Sequence, residues 1–232
     1  MSGVSIITCT HVPYFINNIF DNYSRQTHSE KELILILNNR ALHYDEWSQK
    51  SQYYPNVRIF VLDENISVGS CMNFAIKQAN YDYIANFDHD DYYGPLYLDD
   101  YVYAVQENDA GLFGKKSHYV YFEQGGTLAL MHPGYENCYV DYVDGRTMFF
   151  KKNIIDTVQF IDNNISDCQF SRDCFKNGIK IFSVNRLNFA YIRRGNSNSH
   201  TWDIGNTELL NNHCWAFGSV DDFKPYVEVD IT

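Results

Sequence analysis

Tyr81-Asp-Tyr-Ile-Ala-Asn-Phe-Asp-His-Asp-Asp-Tyr-Tyr-Gly-Pro95 decides the fold. Its first half, Tyr83 to Phe87, is a short, mostly apolar run of the kind that fills a buried strand. Its second half, Asp88-His89-Asp90-Asp91, packs three carboxylates and an imidazole into four residues. Such a group repels itself unless a cation is present. Alternate residues of an extended segment point the same way, so Asp88 and Asp90 can face one site while His89 turns from it. Hard oxygen ligands suit Mg²⁺ or Mn²⁺, which also take phosphate oxygens. A solvated acidic turn is the competing reading, but the end of a buried strand in an α/β pattern is where ligands bind. Pro95 suits the first turn of a helix running to about Glu107.

Working outward, Val4 to Thr8 reads as another buried strand, followed by a turn at His11-Val12-Pro13. Ile16, Ile19, Phe20 and Tyr23 then recur at helical spacing, predicting a helix from about Tyr14 to Ser24. Leu33 to Leu37 is a second strand ending in Asn38-Asn39, and Val57 to Leu62 a third, closed by Asp63-Glu64-Asn65. Ser67 and Gly69 open a helix from about Val68 to Ala79. The order β-α-β-β-α-β-α, with continuous apolar strands, predicts an α/β fold with a mainly parallel sheet covered on both faces. The second half is less regular. Leu112 to Phe122 and Thr127 to Met131 read as strand-loop material, and Thr147 to Phe150 as a short strand. Asp167 to Asn177 reads as a helix stopped by Gly178. Lys180 to Val184 and Phe189 to Arg193 read as short strands before a polar, Asn-rich tail. A single domain is expected over 1–232, regular over about 1–110 and elaborated over about 111–232.

The 232 residues are 45% hydrophobic, enough for a buried core and too many for global disorder. Lys and Arg number 18 against 29 Asp and Glu, a net charge of −11, which argues against a nucleic-acid partner held by a broad basic face. A phosphate-bearing ligand would therefore need a metal ion, a helix N-terminus or a local Arg cluster. The six cysteines include no Cys-x-x-Cys pair, so no zinc pattern is present. No signal peptide or transmembrane run is read, and a cytoplasmic setting is expected.

The strand ends Thr8-Cys9-Thr10, Asn38-Asn39, Asp63-Glu64-Asn65 and Asp88 to Asp91 are all polar and should converge in one crevice. In their order these segments resemble glycosyltransferase family 2, with the GT-A fold. Val4-Ser-Ile-Ile-Thr-Cys-Thr10 is similar to the family's first strand, and Glu32-Leu-Ile-Leu-Ile-Leu-Asn-Asn39 to its second. Glu64-Asn-Ile-Ser-Val-Gly-Ser-Cys-Met-Asn73 aligns without gaps with Glu-Asn-Gly-Gly-x-Gly-x-x-Arg-Asn. The Tyr81–Pro95 segment matches the strand ending in Leu-Asp-x-Asp-Asp. Ile165-Ser-Asp167 and the helix after it resemble, more weakly, the family's Glu-Asp helix, which runs to a Gly-x-Lys-Ile strand.

The resemblance implies transfer of a sugar from a nucleotide-sugar donor, UDP or dTDP favoured, with inversion at the anomeric carbon. By position, Thr8 and Thr10 would line the nucleotide pocket, Asn38 would hold the base edge, and Asn65 would lie in the same nucleotide-binding set. Asn73 would be either a donor-pocket contact or a helix-fixing side chain. Asp88 and Asp90 would bind Mn²⁺ or Mg²⁺, Asp88 also touching the nucleotide. Asp167 would be the general base, with Asp162 or Asp173 as alternatives because Ser166 stands where the family has Glu. Leu37-Asn38 replaces Asp-Asp, Ile66 a Gly and Met72 an Arg. The lost charge makes Arg194 a candidate for phosphate and His200 for phosphate or metal. Asp141 and Tyr142 would grip the acceptor, with a solvated acidic turn the alternative. The acceptor would be a carbohydrate, a lipid-linked group or a protein, as in cell-surface polysaccharide biosynthesis, with the enzyme cytoplasmic or peripheral at the inner membrane face. A nucleotidyltransferase would want a Gly-rich basic loop after the first strand, which His11-Val12-Pro13 does not offer. An inactive sugar-nucleotide or carbohydrate-binding module of the same fold is the runner-up.

Overall fold

The computed structural model describes residues 3–164, 166–195 and 204–229. Its centre is β1 (Val4–Thr10), flanked in parallel by β2 (Lys31–Leu37) and β4 (Tyr83–Asn86), with β3 (Val57–Val61) parallel outside β2. Alternation along these strands divides the apolar side chains between two cores. Ile6, Leu33 and Leu35 face one, with Ile19, Phe20 and Tyr23 of α1 (Ile16–Arg25). Ile7, Ile34 and Ile36 face the other, with Cys71, Met72, Ala75 and Ile76 of α3 (Val68–Gln78). A strand buried on both faces needs continuous apolar sequence, which is why these runs were legible.

One helix of the first half escapes the sequence pattern. α2 (Tyr44–Ser51) joins β2 to β3, so the order begins β-α-β-α-β rather than β-α-β-β. It buries Trp47 and is otherwise mostly polar, so it carries no apolar stripe to read.

After β4 come β5 (Tyr92–Tyr93), α4 (Tyr97–Glu107), β6 (Leu112–Gly114), β7 (His118–Phe122), β8 (Thr127–Met131), β9 (Cys138–Val140) and β10 (Phe149–Lys151). The chain then forms α5 (Ser166–Lys176), β11 (Ile181–Ser183), β12 (Phe189–Arg193), α6 (Asn206–His213), β13 (Cys214–Ser219) and α7 (Lys224–Val227). The main sheet is eight-stranded, in the order β3-β2-β1-β4-β10-β6-β11-β9, and β10 enters it antiparallel between β4 and β6. A second sheet of five strands, β13-β8-β7-β12-β5, stands beside it.

The stretch Leu112 to Phe122, read as one piece of strand-loop material, is divided between the two sheets. Lys115, Lys116 and Ser117 carry the chain across, and all three are buried. The tail, read as merely polar, supplies α6, edge strand β13 and α7. These lacked a signal because β13 is exposed along most of its length. Val227 of α7 instead closes a small third core over the outer face of the second sheet, with Leu128, Ala190 and Ile192. Among the described residues, no helix is long and apolar enough to cross a membrane.

Candidate active site

The carboxyl end of β4 is where the two sheets meet. Tyr93 of β5 is fully buried and stacks on Phe87 at 3.9 Å between centroids. Its hydroxyl accepts from the Asp88 backbone N–H (2.7 Å) and donates to the Arg146 carbonyl (2.8 Å). The Asn86 amide donates to the Asp88 carboxylate (3.3 Å) and the Gly145 carbonyl (2.9 Å). The Asp91 carbonyl is held by the amides of Asn18 and Asn22 on α1, each at 2.9 Å. The acidic run is thus a braced turn rather than a solvated one.

Asp88, Asp90 and Asp91 each bring a carboxylate oxygen to within 4.8 Å of the others. Asp91 is the member the alternation rule missed. Its Oδ1 accepts the Ile192 backbone N–H at 3.0 Å, while its Oδ2 is buried without a hydrogen-bond partner. Burial, then the charge of Asp90, pushes Asp88 up to about 8. The same two causes push Asp91 well above the usual carboxylate range. His89 turns away: its Nδ1 lies 3.2 Å from the Cys9 carbonyl and its ring packs on Phe15.

Beside this cluster lies a half-buried cation that the sequence reading did not single out. Arg146, in a 3-10 turn over Gly145–Thr147, pairs twice with the Asp144 carboxylate (2.7 and 2.6 Å) and lies 3.5 Å over the Tyr191 ring. Its Nε is 4.0 Å from the unpartnered Asp91 oxygen. Burial alone would raise Asp144, but the Arg146 guanidinium outweighs it and holds Asp144 well below the usual range. His118 lies behind them, 1% exposed, with neither ring nitrogen hydrogen-bonded and Nε2 3.8 Å from Asp144. Burial chiefly holds its imidazole down to about 4. The local signal for Arg146 was Asp144-Gly145-Arg146, in which the Asp144 side chain accepts from the Arg146 N–H and starts the turn.

The other expected residues divide clearly. Asp167, in the first turn of α5, lies so close to Gly145 that a Cβ there would collide with its carboxylate. The Gly145 carbonyl accepts from the Asn86 amide, which also donates to Asp88, so a short link separates Asp167 from Asp88. Asp162 and Asp173 lie elsewhere: Asp162 accepts from the hydroxyls of Ser67 and Ser70, and Asp173 from the Gln169 amide. The Arg194 guanidinium reaches the Asp90 carbonyl (2.7 Å) and carboxylate (3.5 Å) and rests on the Phe15 ring. His200 lies outside the described residues, as do Asn196 and Asn198.

At the first two strand ends the polar groups are engaged by the protein itself. Thr8 is buried, and the Thr10 hydroxyl is turned back onto Val12. Asn38 donates to the Asp63 carbonyl (2.6 Å), and Asn65 gives both its backbone and side-chain N–H to the Asp63 carboxylate. Asn73 was left open between pocket and helix. Its amide clasps the backbone of Phe160 in both directions (2.7 and 3.1 Å), which is the helix-fixing geometry. Asp141 accepts from Lys116 at 2.6 Å, and Tyr142 lies against the same ammonium.

The model of the family described as "Glycosyl transferase family 2" matches residues 5–123. The chain belongs to this family. It is 26% identical over 171 residues to the O-antigen biosynthesis glycosyltransferase WbnJ of Escherichia coli, which covers 66% of this chain and 63% of WbnJ. It superposes on the crystal structure of S. aureus TarS 1-349 with a TM-score of 0.65 at 15% identity, over 82% of this chain and 60% of that one. The complex of that fragment with UDP-GlcNAc gives 0.66 at 16%, over 84% and 59%. These structures share the fold of this family member, and the chain spans about three fifths of each of these relatives.

Proposed function

We propose that the chain is the catalytic domain of a metal-dependent, inverting glycosyltransferase that moves a sugar from a nucleoside-diphosphate sugar, UDP- or dTDP-linked, to an acceptor hydroxyl. The observation that carries this is the meeting of Asp88, Asp90 and Asp91 at the end of β4, with no hydrogen bond to Asp91 Oδ2 and with Asp167 against Gly145, whose carbonyl the Asn86 amide holds. Three all-oxygen ligands with an orphaned carboxylate oxygen fit Mg²⁺ or Mn²⁺. Bound there, such an ion would neutralise charge on the diphosphate of the departing nucleotide.

The chain's own residues do the rest. Asp167 takes the proton from the acceptor hydroxyl as it attacks, which makes a single displacement with inversion possible. Gly145 leaves the room in which that carboxylate sits. Arg194, on the outer side of Asp90, is set to turn from Asp90 onto the diphosphate, supplying charge absent at Met72. Asn38 keeps its carbonyl oxygen for the N–H edge of uracil or thymine while its amide nitrogen is held by Asp63. The acceptor is a carbohydrate, lipid-linked group or protein. The kinship with an O-antigen enzyme favours surface-polysaccharide assembly on the cytoplasmic face of the membrane.

Two measurements test this reading. Titration calorimetry should show UDP or dTDP binding that requires Mn²⁺, and binding indifferent to metal would remove the Asp88/Asp90 assignment. Asp167→Asn should keep donor affinity and the melting curve while transfer falls by roughly 10²–10⁴-fold. Unchanged transfer would remove Asp167 as base. The departures at Asn38, Ile66 and Met72 favour one alternative, a module that binds sugar nucleotides without turning them over. A nucleotide-sugar panel in which every binder resists hydrolysis and transfer would establish it.

A further inference from the structure

Lys116 is arranged opposite to a surface lysine. Long basic side chains usually keep their charged head in water and bury the stem. Here the side chain is 9% exposed, and its ammonium lies 4.1 Å from the Tyr142 ring centre and 4.4 Å from that of Tyr135. The carboxylate it binds, Asp141, is 60% exposed. Tyr135 is itself 45% exposed, and its backbone is fixed by the Ser117 hydroxyl at 3.0 Å. The cation is thus withdrawn against two aromatic rings, while the Tyr135 side chain and the Asp141 carboxylate remain exposed. A pair whose carboxylate is this exposed contributes little to stability.

The cluster adjoins the proposed base. Val143, next to Tyr142, donates its backbone N–H to Ser171 Oγ at 3.0 Å. Ser171 lies one turn beyond Asp167 on α5 and on the same face. Asp144 and Gly145 follow directly and lead to the wall on which Asp167 rests.

We infer that Lys116, Tyr135, Asp141 and Tyr142 form the acceptor subsite, and that it takes a neutral hexopyranoside rather than an acidic sugar. The inference rests on the glycosyltransferase reading. An aromatic plane receives the C–H face of a pyranose, and an ionised carboxylate only accepts, so it selects hydroxyl donors. Uronate or phosphate groups on the acceptor would meet Asp141, Asp144 and Asp167. The cations of these segments, Lys116 and Arg146, are each already committed to a carboxylate.

The test uses saturation-transfer NMR on the full chain with the methyl glycosides of glucose, galactose, mannose and N-acetylglucosamine, and with methyl glucuronide as the acidic counterpart. At least one neutral glycoside should receive saturation, and glucuronide should not. Tyr135→Ala and Asp141→Asn, both at exposed positions, should each weaken that glycoside at least tenfold while Mn²⁺-dependent nucleotide binding is retained. Failure of every neutral glycoside, preference for glucuronide, or indifference to both substitutions would overturn the inference. Absence of nucleotide binding in the native chain would instead overturn the reading beneath it, so the two failures are distinguishable.

Discussion

The ends of β2 and β3 and the end of β4 lie on the same edge of one sheet, and both are polar and acidic. They resolve their charges in opposite ways. At the first, Asp63 accepts two N–H groups from Asn65 and one from Arg40, and Asn38 donates to its carbonyl. Those bonds from Asn65 and Arg40 hold Asp63 below the usual range. At the second, half-buried Asp88 and buried Asp91 lie beside each other, both pushed up, and an Asp91 oxygen has no hydrogen-bond partner. Buried polar groups are ordinarily satisfied, so an unmet one asks for a ligand while a satisfied one describes the fold. Four measurements break or sharpen this contrast.

The largest effect is expected from Arg146→Met. The substitution keeps an apolar stem against Tyr191 but leaves the half-buried Asp144 without its counter-ion. Losing one partner of a buried pair costs up to about 3–5 kcal/mol, to be read by urea denaturation. A loss below about 1 kcal/mol would mean that the β4 end tolerates unmet charge without this counter-ion.

His118 comes next. Folded, it stays neutral down to about 4, whereas the unfolded chain takes up a proton near 6.5. Its contribution is therefore complete above pH 6.5 and is lost as pH falls from there through 4, up to about 3 kcal/mol in all. His118→Phe should remove that acid sensitivity. Between pH 7 and 4 the variant should gain on the native chain by up to this amount in unfolding free energy. The opposite contributions of Asp88 and Asp91 are shared by both proteins and cancel in the difference. A difference flat with pH would show His118 to be accessible to protons in the fold.

Asp91→Asn tests the orphaned oxygen itself. Oδ1 can still accept from Ile192, so the fold should survive, while Mn²⁺ affinity measured by calorimetry should fall by about 10–100-fold. Unaltered affinity would confine the metal to Asp88 and Asp90 and make Asp91 a bracket between the sheets.

What could be read from the sequence follows the same division. Buried strands need continuous apolar residues, so Val4–Thr8 and Leu33–Leu37 announced themselves, and the acidic run after Phe87 was found by position. The part played by Asp91 and Arg146 was not, because it depends on Ile192 and Tyr191 of β12, a strand far later in the chain than either residue. Family position makes Thr10 and Asn65 ligand contacts and leaves Asn73 open between pocket and helix. Their hydrogen bonds go to the backbone or to Asp63, a choice that only tertiary packing reveals.

Arg40→Ala should have the smallest effect. The Arg40 side chain is 72% exposed, and its bond to Asp63 is screened by water and salt. Asp63 would still accept both N–H groups of Asn65, and Asn38 would still donate to its carbonyl, so no group at that rim becomes unmet. The melting temperature and the Mn²⁺-dependent nucleotide affinity should both match those of the native chain at physiological salt. A clear fall in nucleotide affinity with an unchanged melting curve would break the contrast. It would extend the binding surface from Asn38 to the Asp63 loop, with Arg40 holding that loop where the base must lie.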